Sequence, residues 1–151
     1  MKKTLFTLAL LFPALLLTAT ERRHSFADGP GGWNAPVENG MLQHRLAVHK
    51  PGSYFADTVP LPATPGDVLS YAAEVRIPHK LEQGVYRLQV VALRKDGGAV
   101  RVFNSAENRN FAPDWTRMSM TFRVPAGTGQ LQLRLVHNGI GEVQVRRGGC
   151  Y

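Results

Sequence analysis

Beyond its first twenty residues the chain is a succession of short runs in which apolar and polar residues alternate, cut apart by glycine and proline. Alternation at every second residue marks strands with one buried face, because successive Cβ atoms point to opposite sides of a pleated ribbon. In the run 41–49, Leu42, His44, Leu46 and Val48 oppose Gln43, Arg45 and Ala47. In 67–77, Leu69, Tyr71, Ala73, Val75 and Ile77 oppose Ser70, Ala72, Glu74 and Arg76. The runs 85–94, 117–124, 130–136 and 142–146 repeat the pattern, with shorter stretches at 54–61 and 99–103. Pro51-Gly52, Pro65-Gly66, Asp96-Gly97-Gly98, Ala126-Gly127 and Asn138-Gly139 separate them, supplying the fixed or positive φ that turns need. No stretch past residue 20 keeps an apolar stripe at helical spacing. Strands recurring at roughly 10-residue intervals predict an all-β, antiparallel sandwich. The segment 104–114 has no alternation and reads as a surface loop.

The first residues read differently. Lys2 and Lys3 precede an apolar stretch from Thr4 to Leu17, followed by small residues and then Glu21-Arg22-Arg23. That is the pattern of a cleaved export signal over residues 1–20. The apolar stretch is shorter than the ~20 residues of a membrane-spanning helix and is interrupted by Pro13, so no transmembrane anchor is expected. One domain, residues 21–151, would remain, secreted or periplasmic. The formal net charge of +7 is carried mainly by arginine, whose planar fork suits carboxylates and phosphates. Export argues against nucleic acid as the partner and leaves anionic glycans or surfaces. A single cysteine, Cys150, cannot close an internal disulfide. It is either a link to a second chain in a disulfide-bonded dimer or an inert tail residue.

Three segments carry a family resemblance. Phe26-Ala27-Asp28-Gly29 followed by Trp33, the stretch Pro65-Gly66-Asp67-Val68-Leu69-Ser70-Tyr71-Ala72-Ala73-Glu74-Val75-Arg76, and Asp114-Trp115-Thr116-Arg117-Met118-Ser119-Met120-Thr121-Phe122-Arg123-Val124-Pro125 resemble the CenC-type carbohydrate-binding modules of bacterial cellulases and xylanases. The resemblance spans about residues 25–146. It implies a galactose-binding-like jelly roll, non-catalytic glycan binding, and a structural calcium held by acids near both ends of the domain. Here Asp28 stands at the start, but the closing run reads Val145-Arg146-Arg147 where the acid is expected. Guanidinium is hostile to a cation that wants six to eight oxygens. The expectation is therefore no metal or cofactor, with Arg146 or Arg147 paired to Asp28 instead.

Candidate chemistry follows from what the strands expose. Hydrolysis of a glycosidic bond needs two carboxyls flanking it. Only Glu74 sits mid-strand on a polar face, so no catalytic residue is assigned. His44 and His49 have opposite parity and cannot chelate one ion; His24, His79 and His137 fall at segment ends and read as solvated or capping. Trp33, Trp115, Tyr71 and Tyr86 read as core. Tyr54 and Phe55 point to opposite faces, so one of them is exposed, and Phe111 is a further platform on which a sugar ring could stack. The remaining polar face combines Glu74, Arg76, Arg87, Gln89, Gln132 and Arg134, side chains able to hold vicinal hydroxyls or carboxylates in pairs of hydrogen bonds. With Tyr54 they form the candidate ligand-binding set. The function expected is carbohydrate binding, extending to acidic polysaccharide, either alone or as an accessory of a separate hydrolase. A structural or adhesion module of the cell envelope, contacting protein and cross-linked through Cys150, is the alternative.

Overall fold

The alternating runs become two antiparallel sheets. The computed structural model describes residues 21–109 and 112–151; the expected export signal and the expected Phe111 platform lie outside the described residues. In chain order the strands are β1 (Arg22–Ser25), β2 (Val37–Glu38), β3 (Met41–Leu46), β4 (Tyr54–Ala56), β5 (Leu61–Pro62), β6 (Val68–Ile77), β7 (Tyr86–Leu93), β8 (Ala99–Asn104), β9 (Ala112–Arg123), β10 (Gln130–His137) and β11 (Gly141–Cys150). A 3-10 turn, Phe26–Asp28, follows β1. The six-stranded sheet runs β2-β3-β11-β6-β9, with β1 beside β11 beyond the end of β3; the five-stranded sheet runs β4-β10-β7-β8, with β5 continuing the β4 edge of β10. This is the antiparallel sandwich that alternation predicts, in the jelly-roll form that the resemblance implies.

Parity sets the core. Tyr71, Val75 and Ile77 of β6 and Val143 and Val145 of β11 meet Leu88 and Val90 of β7 and Leu131, Leu133 and Leu135 of β10, all buried. Each such side chain contributes about 1.5–3 kcal/mol by leaving water, which is how a domain this size dispenses with disulfides. Trp33 is core as expected, packed edge-on to Phe26 and against Phe55 with ring centroids 6.1 and 5.8 Å away. The Asp96-Gly97-Gly98 turn joins β7 to β8: Gly97 takes φ +89°, and the Gly98 N–H donates to the Asp96 carboxylate at 2.9 Å.

The departures from the sequence reading are local. The run 54–61 splits into two strands, because Asp57 turns inward and Pro60 has no N–H to continue the ladder. β9 starts at Ala112, so part of the expected loop is strand. β11 extends through both arginines to Cys150, which pairs with Tyr71 on one side and Arg22 on the other. Cys150 is therefore a fully buried core residue and not a tail. Burial pushes its thiol up to about 11, so it is neither placed nor ionised for a link to a second chain. Among the described residues no helix is long and apolar enough to cross a membrane.

Candidate functional site

A register shift decides where the closing arginines go. Between Val145 and Arg147 the β11–β6 ladder slips by one residue. Such a bulge lets two consecutive side chains share a face. Arg147 donates to both Glu74 oxygens, at 2.6 and 2.9 Å, and Arg146 Nε donates to the same carboxylate at 2.5 Å. The expected partner, Asp28, is exposed in the 3-10 turn, and neither arginine pairs with it. The bulge aims both guanidiniums outward at β6. The N-terminal segment is tied down instead by the β1–β11 ladder, from Arg22 opposite Cys150 to Ser25 opposite Arg147. It is also held by Asp57, which accepts from Arg22 at 2.8 Å. With Asp28 in the open and guanidiniums on the closing strand, these residues do not offer the oxygen set that calcium requires.

Glu74 is unsuited to acid catalysis for the same reason. The Arg147 fork, with Arg146 beside it, holds its carboxyl down to about 2. A general acid needs the reverse shift.

The candidate ligand-binding set divides between the two outer faces. Glu74 and Arg76 lie on β6, in the six-stranded sheet; Tyr54, Arg87, Gln89, Gln132 and Arg134 lie on β4, β7 and β10, in the five-stranded sheet. Identical parity made these strands look like neighbours, but parity carries no information about which sheet a strand joins. Arg76 donates to the Gln144 side chain at 2.8 Å, and its guanidinium lies 4.9 Å from the Trp115 ring centre. Arg146 stands over the same ring, also at 4.9 Å. Trp115 is thus a half-buried residue under two guanidiniums on the outer face, and not core.

On the five-stranded sheet the predicted residues do meet. Arg134 lies opposite Gln89 in the β10–β7 ladder, and Gln89 lies opposite Asn104 in the β7–β8 ladder. The Arg134 guanidinium stands over the Tyr54 ring, 4.1 Å from its centre. It donates to Gln132 Oε1 at 2.8 Å and to Gln89 Oε1 at 3.4 Å. The Gln89 amide in turn donates to Asn104 Oδ1 at 2.9 Å. The result is a polar rib crossing all four strands of the path, from an aromatic ring through a cation to three amides. At the next position along β7, Arg87 pairs with Glu107. Tyr54 is 41% exposed while Phe55 is 1% exposed, which resolves which of the pair faces outward. Asn104 escaped the sequence reading because it falls one residue past the visible end of its run; its even numbering, shared with the exposed Val102, was the available signal.

His137, expected at a segment end to be solvated or capping, is instead fully buried, and His44 faces it. Both point inward, from β3 and β10, and their Nδ1 atoms meet at 2.9 Å across the sandwich. Among the described residues no group of three or more His, Cys, Asp or Glu could hold a metal ion.

No family model and no curated protein sequence matches the chain. Several solved structures do match in fold. The chain is similar to BiXyn10A CBM1 in its apo form, at 13% identity and a TM-score of 0.55, covering 85% of this chain and 95% of that one. It is similar to the CBM22-1 xylan-binding domain of Paenibacillus barcinonensis Xyn10C at 13% identity and TM-score 0.55, covering 85% and 91%. Against the CBM22-1–GH10 modules of Clostridium thermocellum xylanase Xyn10B, complexed with xylohexaose, identity is 12% and the TM-score 0.58, covering 86% of this chain and 28% of that one. The sandwich described here therefore shares its fold with these carbohydrate-binding modules.

Proposed function

We propose that this protein is an exported, non-catalytic carbohydrate-binding domain whose ligand lies across the outer face of the five-stranded sheet. The observation that carries the reading is the rib from Tyr54 through Arg134, Gln132 and Gln89 to Asn104. Sugars present apolar C–H faces and pairs of neighbouring hydroxyls. An exposed tyrosine ring suits the first, and amide and guanidinium groups fixed by mutual hydrogen bonds suit the second, because little rotamer entropy is then lost on binding. Support also comes from proteins of the same fold whose own ligands are xylan and xylohexaose.

The residues of this face favour a neutral or sparsely charged glycan. Arg87 is neutralised by Glu107, which leaves Arg134 as the one cation of the rib, able to take a single uronate carboxylate. The chain acts by attachment and could serve a separately encoded hydrolase as a targeting subunit. Affinity electrophoresis of the full chain in gels containing xylan, mixed-linkage glucan or glucuronoxylan tests the proposal. Retardation by at least one of these glycans, lost in Tyr54→Ala at unchanged melting temperature, is expected. Unaltered migration of the wild-type chain in all of them would overturn it.

A further inference from the structure

The outer face of the six-stranded sheet carries a recess in which the Tyr54 face has no part. It holds about 690 Å3, and its walls include Arg23, Glu74, Arg117, Arg147 and Tyr151. A volume of this order is typical of ligand sites. The strand ladders explain both the hollow and its charge. In one cross-strand row Ser25, Arg147, Glu74 and Arg117 stand side by side. The next row of the same face reads Arg23, Gly149, Ala72 and Ser119, so its two central strands offer nothing longer than a methyl group. The floor is fixed by backbone packing: a Cβ on Gly149 would come within 2.5 Å of the Arg22 carbonyl oxygen, where β1 runs alongside. Past the floor, the hydroxyls of Ser70 and Thr121 meet at 2.9 Å.

The electrostatics of the recess have one sign. Glu74 is the only acidic side chain among the residues lining it, and Arg146 and Arg147 already share it. Arg117 donates to the Tyr151 hydroxyl and has no carboxylate within ion-pair distance among the described residues. Arg23 reaches Glu21, yet its side chain remains 81% exposed. Six residues further along β9, about 20 Å at the rise of a strand, Arg123 projects from the same face and donates to the Gly66 carbonyl. Arg23, Arg117 and Arg147 thus outnumber the one carboxylate lining the recess, as planar guanidiniums whose forks match carboxylate oxygens.

We infer that this trough is a second ligand site, for an acidic polysaccharide. Its carboxylates are taken by Arg23, Arg117 and Arg147, while its rings lie over the Gly149–Ala72 floor and the Ser70–Thr121 hydroxyls. Two cations on one face of β9, Arg117 and Arg123, spaced about 20 Å apart, fit an extended polyanion better than an isolated ion. A recessed floor fits a single polymer strand better than a bilayer, whose plane would meet only the rim. The site lies on the opposite side of the sandwich from the Tyr54 face, so the two are occupied independently.

Affinity electrophoresis of the full chain in gels containing polygalacturonate tests the inference. The wild-type chain should be retarded, and retardation should shrink as salt rises, because exposed charges are screened. Arg23→Gln with Arg117→Gln should weaken polygalacturonate binding about tenfold, the loss of one or two charge-assisted hydrogen bonds, and leave xylan binding unchanged. Ser119→Glu, an exposed site that places a carboxylate beside the floor, should do the same without touching an arginine. Tyr54→Ala should show the reverse selectivity. Unchanged polygalacturonate retardation in both trough variants overturns the second site, even if the Tyr54 face binds glycan. So does binding of the wild-type chain to phosphatidylglycerol vesicles or double-stranded DNA without binding to polygalacturonate.

Discussion

His44 and His137 reach across the sandwich, one from each sheet, and place their Nδ1 atoms 2.9 Å apart. One ring must donate and the other accept, so the accepting imidazole is neutral with its Nδ1 unprotonated, and the two rings cannot both be charged. Burial, and then the proximity of His44, hold the His137 imidazole down at about 4; burial, and then Lys50, lower His44.

A pH dependence follows from that pair. An unfolded histidine binds its proton near pH 6.5, whereas folded His137 resists until about pH 4. Between those values the unfolded chain carries more protons, so stability is fully present above pH 6.5 and falls as pH drops through the window. The loss should reach about 3 kcal/mol by pH 4. Urea unfolding at pH 7.5, 6.0 and 5.0 checks this, since the upper part of the window precedes the ordinary carboxylate range. His137→Leu should flatten the slope; an unchanged slope would assign it elsewhere.

Asp57 carries the attachment of β1 to the rest of the domain. It is 1% exposed. Burial alone would raise its carboxyl; His24, Arg22 at 2.8 Å and the Val59 amide at 3.0 Å more than reverse that and hold it low. Asp57→Ala leaves the half-buried Arg22 without its counter-charge and His24 without its carboxylate neighbour. The expected cost is about 3 kcal/mol, read as a lower denaturation midpoint with an unchanged m-value. Trimming β1 should cost a comparable amount, and the two losses should not add, because they remove the same contact.

The sandwich and its inward residues were legible because burial imposes a period of two that survives in the residues themselves. Leu69, Tyr71, Val75, Leu131 and Leu133 are inward as their parity dictates. Sheet membership was not legible. Glu74 and Gln132 have the same local pattern, yet β6 and β10 belong to different sheets, and only long-range pairing separates them. The β11 bulge was equally hidden: nothing in Val145-Arg146-Arg147-Gly148 announces that both arginines turn to Glu74. His44 did share parity with Leu42 and Leu46. Its burial was readable in principle, and its inward partner from the other sheet was not.

Cys150 should behave as a core side chain. It is fully buried beside Tyr71, with its thiol raised to about 11, so little thiolate exists at neutral pH. A thiol-reactive dye should label the folded chain far more slowly than the chain in denaturant, and non-reducing electrophoresis of folded protein should give monomer. Rapid labelling without denaturant would show that β11 frays at its end. Cys150→Ser buries a hydroxyl in an apolar site and should cost about 1–3 kcal/mol.

The division of the polar residues between two faces makes the two sheets separable by mutation. Arg134 touches Tyr54, Gln132 and Gln89 at once, so Arg134→Ala removes a cation over the ring and frees two amides to rotate. Neutral-glycan affinity should fall about tenfold, the lower end of what one charged hydrogen bond to the ligand contributes. Arg76 lies on the opposite face, held by Gln144 and Trp115. Arg76→Ala should leave neutral-glycan affinity within about twofold, since sites that share no partners behave independently. It should, however, change the tryptophan fluorescence, because Trp115 loses one of its two guanidinium neighbours. Calorimetric titration of both variants with the same xylo-oligosaccharide decides the matter. If Arg76→Ala weakens binding and Arg134→Ala does not, the glycan lies on the six-stranded sheet, and the Tyr54 rib is only a solvated surface network.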